Sequence, residues 1–596
     1  MTTSVTTQTQ SFEKTEEAFS RQYLAVGSAL SGILEAQGCF AADWNRVSIH
    51  RDTDYTLIRN SRFYGDVTIG LLSKDAETPQ GIFDAVISNS RIGDGCYISC
   101  VRGSLDGCII GNNVSIVDVG RISFEATDTL CGIGTAVGVL DETGSRPVYI
   151  YPGLDAQMAA LMAWKPRWTD DVLFPMLQEM WSELPSYACI GDGSSIRGVG
   201  LMLNVGVGAG VTIEGASRLA NGLIINNSPT SRPFTFVGSN VDAENFIIED
   251  AKVMSGALLR NCYVGQGTVL DKGFTAHDSL FFANCSCENG EACALFAGPY
   301  TVSMHKSSLL IGTMTSFMNA GSGTNSSNHK YKLGPVHWGL MERGVKTSSD
   351  SYVMWGGRIG AFSLLMGSHK KHPETSKFPF SYLFSDPKGG TIVVPGVMLR
   401  SCGLARDAIK WPSRDNRKRP KLPLHDRISF DVLNPITVLS MMQAVELIDS
   451  MLSDGAQPDG FYYYNGLRFS HNSLVKGREF YEMAILKYIN DAPSDMPPAI
   501  DKPEQWIDLG GLPVPRSVVN KVCKAESLEE MKTILDETFS NYATLEAAWK
   551  ASAMTPKWRS LLPKAPEAIA RLDKMIEADR AATLQTMSDH AAFLRD

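Results

Sequence analysis

The chain has 596 residues, 44 % of them apolar, enough either for several domains or for one long repeat domain. Its 55 Lys and Arg against 64 Asp and Glu leave a net charge of −9, and a mildly acidic chain lacks the basic surface that nonspecific nucleic-acid binding needs. No run of about 18 apolar residues and no basic-then-apolar leader are seen, so a cytoplasmic protein is expected, with no membrane and no nucleic-acid partner and with its twelve cysteines as reduced thiols.

Residues 1–12, rich in Thr, Ser and Gln, read as a disordered tail. Residues 13–40 read as a helical cap carrying Phe19, Tyr23, Leu24, Val26, Leu30, Ile33 and Leu34, of the kind that closes the open end of a repeat domain. Within 41–152 a period of six takes over. Leu57, Phe63 and Ile69 begin it; 72–84, with Pro79 and Gly81, reads as a protruding loop; then Val86, Ile92, Ile98, Ser104, Ile110, Ile116 and Ile122 follow. Neither a helix, with a period of 3.6, nor a lone strand, with a period of two, gives a period of six. A coil with flat faces does, with one aliphatic per face inward and a turn after it. Turn signatures recur as Ile92-Gly93-Asp94-Gly95 and Ile110-Gly111-Asn112-Asn113, where Gly and Asn tolerate positive φ.

Residues 153–184 read as a helical insertion. Over 185–425 the ladder resumes with Ile190, Ile196 and Met202; then Val207, Ile213, Leu219 and Ile225; then Val241, Ile247, Val253 and Leu259; then Val264, Leu270, Ala276 and Phe282, after which it fades. On these residues, within about 57–312, the chain resembles the hexapeptide-repeat left-handed β-helix superfamily, which includes sugar-nucleotide acyltransferases. That resemblance implies the hand of the coil, a trimeric homo-oligomer and, if an acyl group is transferred, acyl-CoA as cofactor. As a whole the chain is similar to an uncharacterised bacterial domain-of-unknown-function family in which a β-helix precedes a helical C-terminal region. The expected fold is therefore mainly β: a left-handed parallel β-helix with a helical insertion and an α-helical region at 426–596.

Candidate chemistry gathers where the ladder fades. Five of the ten histidines fall between 305 and 372: His305, His329, His337, His369 and His372. Asn325, Asn328, Lys330, Glu342, Arg343, Lys370 and Lys371 accompany them among dense glycines. Histidine suits proton transfer near neutral pH, and the resemblance implies one histidine as general base on a hydroxyl or amine. His337 and His369 are the candidates, with Asn325, Asn328, His372, Lys370 and Lys371 to bind substrate. The 401–430 stretch is locally basic, and its Arg414, Arg417 and Arg419 are candidates to hold a phosphate; a solvated linker is the plainer reading. Cys96 with Cys100, and Cys285 with Cys287 and Cys293, do not supply four well-placed metal ligands, nor do His369 and His372, so no metal is expected. No P-loop and no dinucleotide fingerprint is seen.

Further along, Asn434-Pro435 opens a helix bearing Val438, Met441, Met442, Val445, Ile448 and Leu452 on one face. Tyr462 to Phe469 reads as a hairpin turning at Asn465-Gly466, Ser527 to Glu530 as a capping box, and 566–594 as a last helix. Two functions are carried forward. One is binding, or acylation, of a phosphorylated sugar or nucleotide-sugar, and its enzymatic form requires His337 and His369 in one pocket with Arg414–Arg419 near it. The other is a non-catalytic scaffold using the coil faces and the C-terminal helices.

Overall fold

A computed structural model describes residues 23–125, 130–184, 188–228, 234–329, 332, 334–418, 422–491 and 503–593. The expected tail and the start of the expected cap lie outside them. Short parallel strands stack along the chain from Phe40–Ala41 to Tyr382–Ser385. In the early layers each strand pairs with the strand three places on. Arg62–Tyr64 pairs with Val86–Ser88, Val67–Ile69 with Arg91–Ile92, and Gly81–Phe83 with Tyr97–Val101. Three rows of inward residues result. One reads Ile58, Ile82, Ile98, Ile116, Ile196 and Ile213; a second reads Ile49, Ile69, Ile92, Ile110 and Ile190; a third reads Phe63, Ile87, Leu105, Ile122 and Met202. All are buried. Rows of β-branched side chains suit parallel strands whose inner faces never meet water.

This corrects positions in all three rows as read from a strict period of six. Ile87 and Leu105, not Val86 and Ser104, point inward, as do Ile58 in place of Leu57 and Ile224 in place of Ile225. Turn length varies by one residue, so Ile82 to Ile87 is five positions and Ile98 to Leu105 is seven. The expected loop is shorter too, since Gly81–Phe83 is already a strand. Beyond Phe282 the stack does not stop. Its inner positions become Cys287, Ala292, Ala297, Ser303, Thr315, Ala320 and Thr347, with pairing continuing to Leu365 and Leu383.

Corners between rows hold residues at positive φ. Asn221, Asn245 and Asn261 (φ 47°, 54° and 52°) stack in one column. Asn221 donates to Asn245 at 2.6 Å, Asn245 to Asn261 at 3.0 Å, and Asn261 to Asp278 at 2.9 Å. Asparagine is the non-glycine residue that tolerates this backbone best, and its amide gives each layer a bond to the next. A second column is aromatic. Tyr300 (φ 61°) and Phe317 (φ 53°) stack at 5.4 Å, and Phe362 (φ 54°) and Phe380 (φ 56°) at 5.2 Å. Gly344 stands between the pairs at φ 73°, where a Cβ would meet Phe362 Cδ1 at 2.2 Å. Trp411 and Phe430, from the 401–430 stretch, pack over this column.

The insertion contains the expected helices, Ala156–Trp164 and Phe174–Ser182, preceded by an unforeseen hairpin of Ala136–Gly138 and Pro147–Tyr149. At the other end the cap is a shorter helix, Gly27–Ala36; Tyr23–Ala25 is instead a strand antiparallel to Val47–His50. Asn434 caps Pro435–Asp454 through Ile436 and Thr437. That helix is long and apolar enough to cross a membrane, but here it buries Val438, Met441, Val445 and Ile448. The hairpin Tyr462–Tyr464 and Leu467–Phe469 turns at Asn465-Gly466 and adds to the sheet beside Thr391–Val394. Ser527 accepts from Glu530 N at 3.1 Å, but Glu530 returns its bond to Glu526, so the box is not reciprocal. The last helix spans Ala565–Phe593.

Candidate functional site

The expected site residues do not converge. His369 follows Val353 in an inward row and is wholly buried. Its Nδ1 bonds Thr391 Oγ1 at 2.8 Å and its Nε2 bonds Met366 O at 3.1 Å. Burial, only partly opposed by the Met366 carbonyl, pushes the ring down to about 4, so it is neutral and a poor base at neutral pH. His337 is half-buried, its ring 5.2 Å from that of the exposed His372. Its backbone N donates to Asn328 O at 3.0 Å, and the buried Asn328 amide donates to Glu142 at 2.5 Å. His337, His372 and Asn328 are thus neighbours. Asn325 sits in a strand between Leu309 and Tyr352, while Lys370 and Lys371 are exposed.

The basic stretch separates in the same way. Arg417 is 2 % exposed and binds Asp415 at 2.9 Å and Asp426 O at 3.1 Å. Asp415 in turn accepts from Asn284 at 2.9 Å. Arg417 therefore fastens this strap to the corner columns and offers no charge to a ligand. Arg414 is exposed at the end of the helix Cys402–Ser413, and Arg419 lies outside the described residues.

A cavity of about 360 Å³ lies instead where the stack meets the C-terminal region. Stack residues Met314–Ser316, Leu340–Arg343, Arg358 and Ala361 form one wall. Ile436, Leu439, Ser440 and Gln443 of Pro435–Asp454 form a second. Gln505 to Asp508 with Gly510 and Gly511 form a third, and Trp164 of the insertion closes it, its indole N–H donating to Met314 Sδ at 3.0 Å. Arg343 is 2 % exposed. One nitrogen, Nη2, donates to Ser429 O at 2.6 Å, and the guanidinium lies over Phe317 at 4.9 Å. Its Nη1 stands 4.0 Å from Asp508 Oδ2, and neither Nε nor Nη1 has a hydrogen-bond partner among the described residues. Buried guanidinium N–H groups without partners are costly, so this is where an acceptor would be gained. Asp508 is already engaged by Ser316 at 3.0 Å and Gly511 N at 2.8 Å.

Beside Arg343, Glu342 accepts from Ala361 N at 3.1 Å. Burial pushes its carboxyl up to about 7, although the Arg358 charge pulls the other way. Glu342 and Arg343 stand in the histidine-rich window. Their signal was the turn Met341-Glu342-Arg343-Gly344, which sets charges where Ile110-Gly111-Asn112-Asn113 has Gly and Asn. Arg358, Asp508, Trp164 and Trp506 gave no local signal.

One further cluster has metal-ligand chemistry. Glu249, Asp250 and His425 place ligand atoms within 4.8 Å of one another. Burial and the Glu249 charge push Asp250 up to about 6. Burial opposes charge on Glu249 and on His425 alike, yet their 3.0 Å contact holds the first below and the second above its ordinary range. All four carboxylate oxygens already accept bonds, from His425, Asn227, Gly153, Tyr263 and Gln266. The cluster reads as a fastening of His425 to the stack.

Residues 28–452 match a family model described as "Domain of unknown function (DUF4954)". The match takes in the stack walls of the cavity and the helix Pro435–Asp454 up to residue 452, but not the wall at 505–511. No curated protein matches the chain.

Proposed function

The chain belongs to the DUF4954 family, and we propose that its cavity binds a small anionic metabolite, a phosphorylated sugar being the class that fits best. The observation that carries this is Arg343, buried in the wall with Nε and Nη1 unpartnered. Arginine is the side chain suited to phosphate in a partly dry site. Arg358 adds charge, Ser440, Gln443 and Gln505 offer bonds to hydroxyls, and Trp164 and Trp506 offer apolar faces for a ring. A volume near 360 Å³ is at the low end for small-molecule sites, which favours a single sugar phosphate over a nucleotide-sugar or an acyl-CoA. Neither His337 nor His369 lines this cavity, so the proposal is one of binding, with no acyl transfer assigned.

We also read the stack as a left-handed β-helix of the hexapeptide-repeat kind. Three rows of inward aliphatics and corner columns at positive φ support that reading.

A thermal-shift screen of the full chain with sugar phosphates, nucleotide-sugars and acyl-CoAs tests the binding. A sugar phosphate at about 100 times its Kd should stabilise the protein by about 2.7 kcal/mol. Arg343→Gln should lose the shift, and Arg343→Lys should keep part of it. No shift with any compound would favour the scaffold reading.

A further inference from the structure

Glu342, Arg343 and Asp508 line one cavity, and the Asp508 charge, 4.0 Å from Arg343 Nη1, already acts on the Glu342 carboxyl, so an anion held by the guanidinium would act on it in the same sense. One oxygen of that carboxyl is held by Ala361 N. The other has no hydrogen-bond partner among the described residues. The charged groups facing it are few. Arg343 and Arg358 are in the same wall, Asp508 lies across the cavity, Lys377 stands at the rim and is tied to Tyr464 at 2.8 Å, and Glu374 lies behind Arg358. The helix Pro435–Asp454 contributes only uncharged residues, Ile436, Leu439, Ser440 and Gln443, and the insertion only Trp164. Arg358 draws the Glu342 carboxyl toward its charged form without overcoming burial, and an anion on Arg343 takes up part of the positive charge in that wall.

Resting on the reading of this cavity as an anion site, we propose that Glu342 is a specificity-determining residue: the ligand anion enters together with one proton, taken from solvent, which settles on the Glu342 carboxyl. Burial already weakens its charged form, pushing it up to about 7, and a bound anion pushes in the same direction. With Glu342 neutral, the cavity offers Arg343, Arg358 and Lys377 against Asp508 alone. The neutral carboxyl also becomes a donor, able to bond an anionic oxygen or a hydroxyl. The cavity thus selects anions that bring a proton or are bound below neutral pH.

Calorimetric titration with glucose 6-sulfate, whose single charge does not titrate near neutrality, tests this on the full chain. Its affinity should be steady near pH 6 and fall about tenfold per pH unit above 7, the signature of one proton taken up. In two buffers of different ionisation heat at pH 8, about one proton should be absorbed per ligand bound. Glu342→Gln, which keeps the shape and cannot ionise, should bind equally at pH 6 and pH 8.5 and absorb no proton. Binding that is unchanged between pH 6 and 8.5 in the natural protein would overturn the proton coupling and leave the anion site standing. A slope that persists in Glu342→Gln would overturn it too, and would pass to Asp508→Asn. No binding at any pH would overturn both.

Discussion

His369 closes an inward row that includes Ser326 and Val353, and its two ring nitrogens are spent on Thr391 and Met366. Its folded state therefore disfavours protonation, since the ring, ordinarily titrating near 6.5, is pushed down to about 4 by burial. The native state binds fewer protons than the unfolded one, so the stability His369 contributes is complete above about pH 6.5 and drains away as pH falls toward 4. His369→Gln should remove that acid-sensitive part, and urea midpoints at pH 7 and pH 5 should differ less in the variant than in the natural protein. A base acting on a bound substrate would instead change ligand handling and leave the midpoints alone. Arg417 makes the same point with charge. Arg417→Ala leaves Asp415 buried beside Asn284 without its partner, and should cost roughly 3–5 kcal/mol in chemical denaturation with sugar-phosphate affinity unchanged. At this scale the sequence shows which residue types have chemistry to offer, but a histidine on an inward row and one on the surface look alike in it.

The aromatic corner column and its strap form the element on which the cavity leans. Phe317 lies under the Arg343 guanidinium, and Gly344 follows Arg343 directly. Gly344→Ala would put a Cβ 2.2 Å from Phe362 at φ 73°, and should destabilise the protein by on the order of 1–3 kcal/mol or more. Trp411 contacts Phe317 at 4.9 Å and Phe362 at 6.3 Å. Trp411→Ala should therefore loosen the strap before it loosens the stack, seen as faster amide exchange across 401–430 than across 242–264; equal acceleration of both would contradict the strap's separate role. The ladder was legible where inward residues are Ile, Val and Leu. Where they are Cys287, Ala292, Ser303 and Ala320 the same pairing continues without an aliphatic rhythm for the sequence to show. The misplacement of Val86 for Ile87 has another cause: a turn one residue shorter shifts a period of six but leaves strand pairing intact.

Across the whole molecule, the cavity is assembled from parts far apart in the chain. Trp164 comes from the insertion, Arg343 and Glu342 from the stack, Gln443 from a C-terminal helix and Asp508 from a late hairpin. No window of sequence holds more than one of these walls, which is why the platform was readable and the site was not. Glu342 and Arg343 lie within the histidine-rich window of the sequence, while Arg417 of the strap, one of the arginines that suggested an anion, is spent on Asp415. Calorimetric titration of glucose 6-phosphate into the natural protein and into Arg343→Gln at pH 6.5, with folding of both checked by thermal melting, tests whether the cavity holds an anion on Arg343. A bond from a buried guanidinium to a charged oxygen is worth roughly 1.5–3 kcal/mol. Saturable one-site binding by the natural protein, weakened about 10- to 100-fold in the variant, is the predicted result. Equal affinity in the two proteins, or no binding by either, would contradict it.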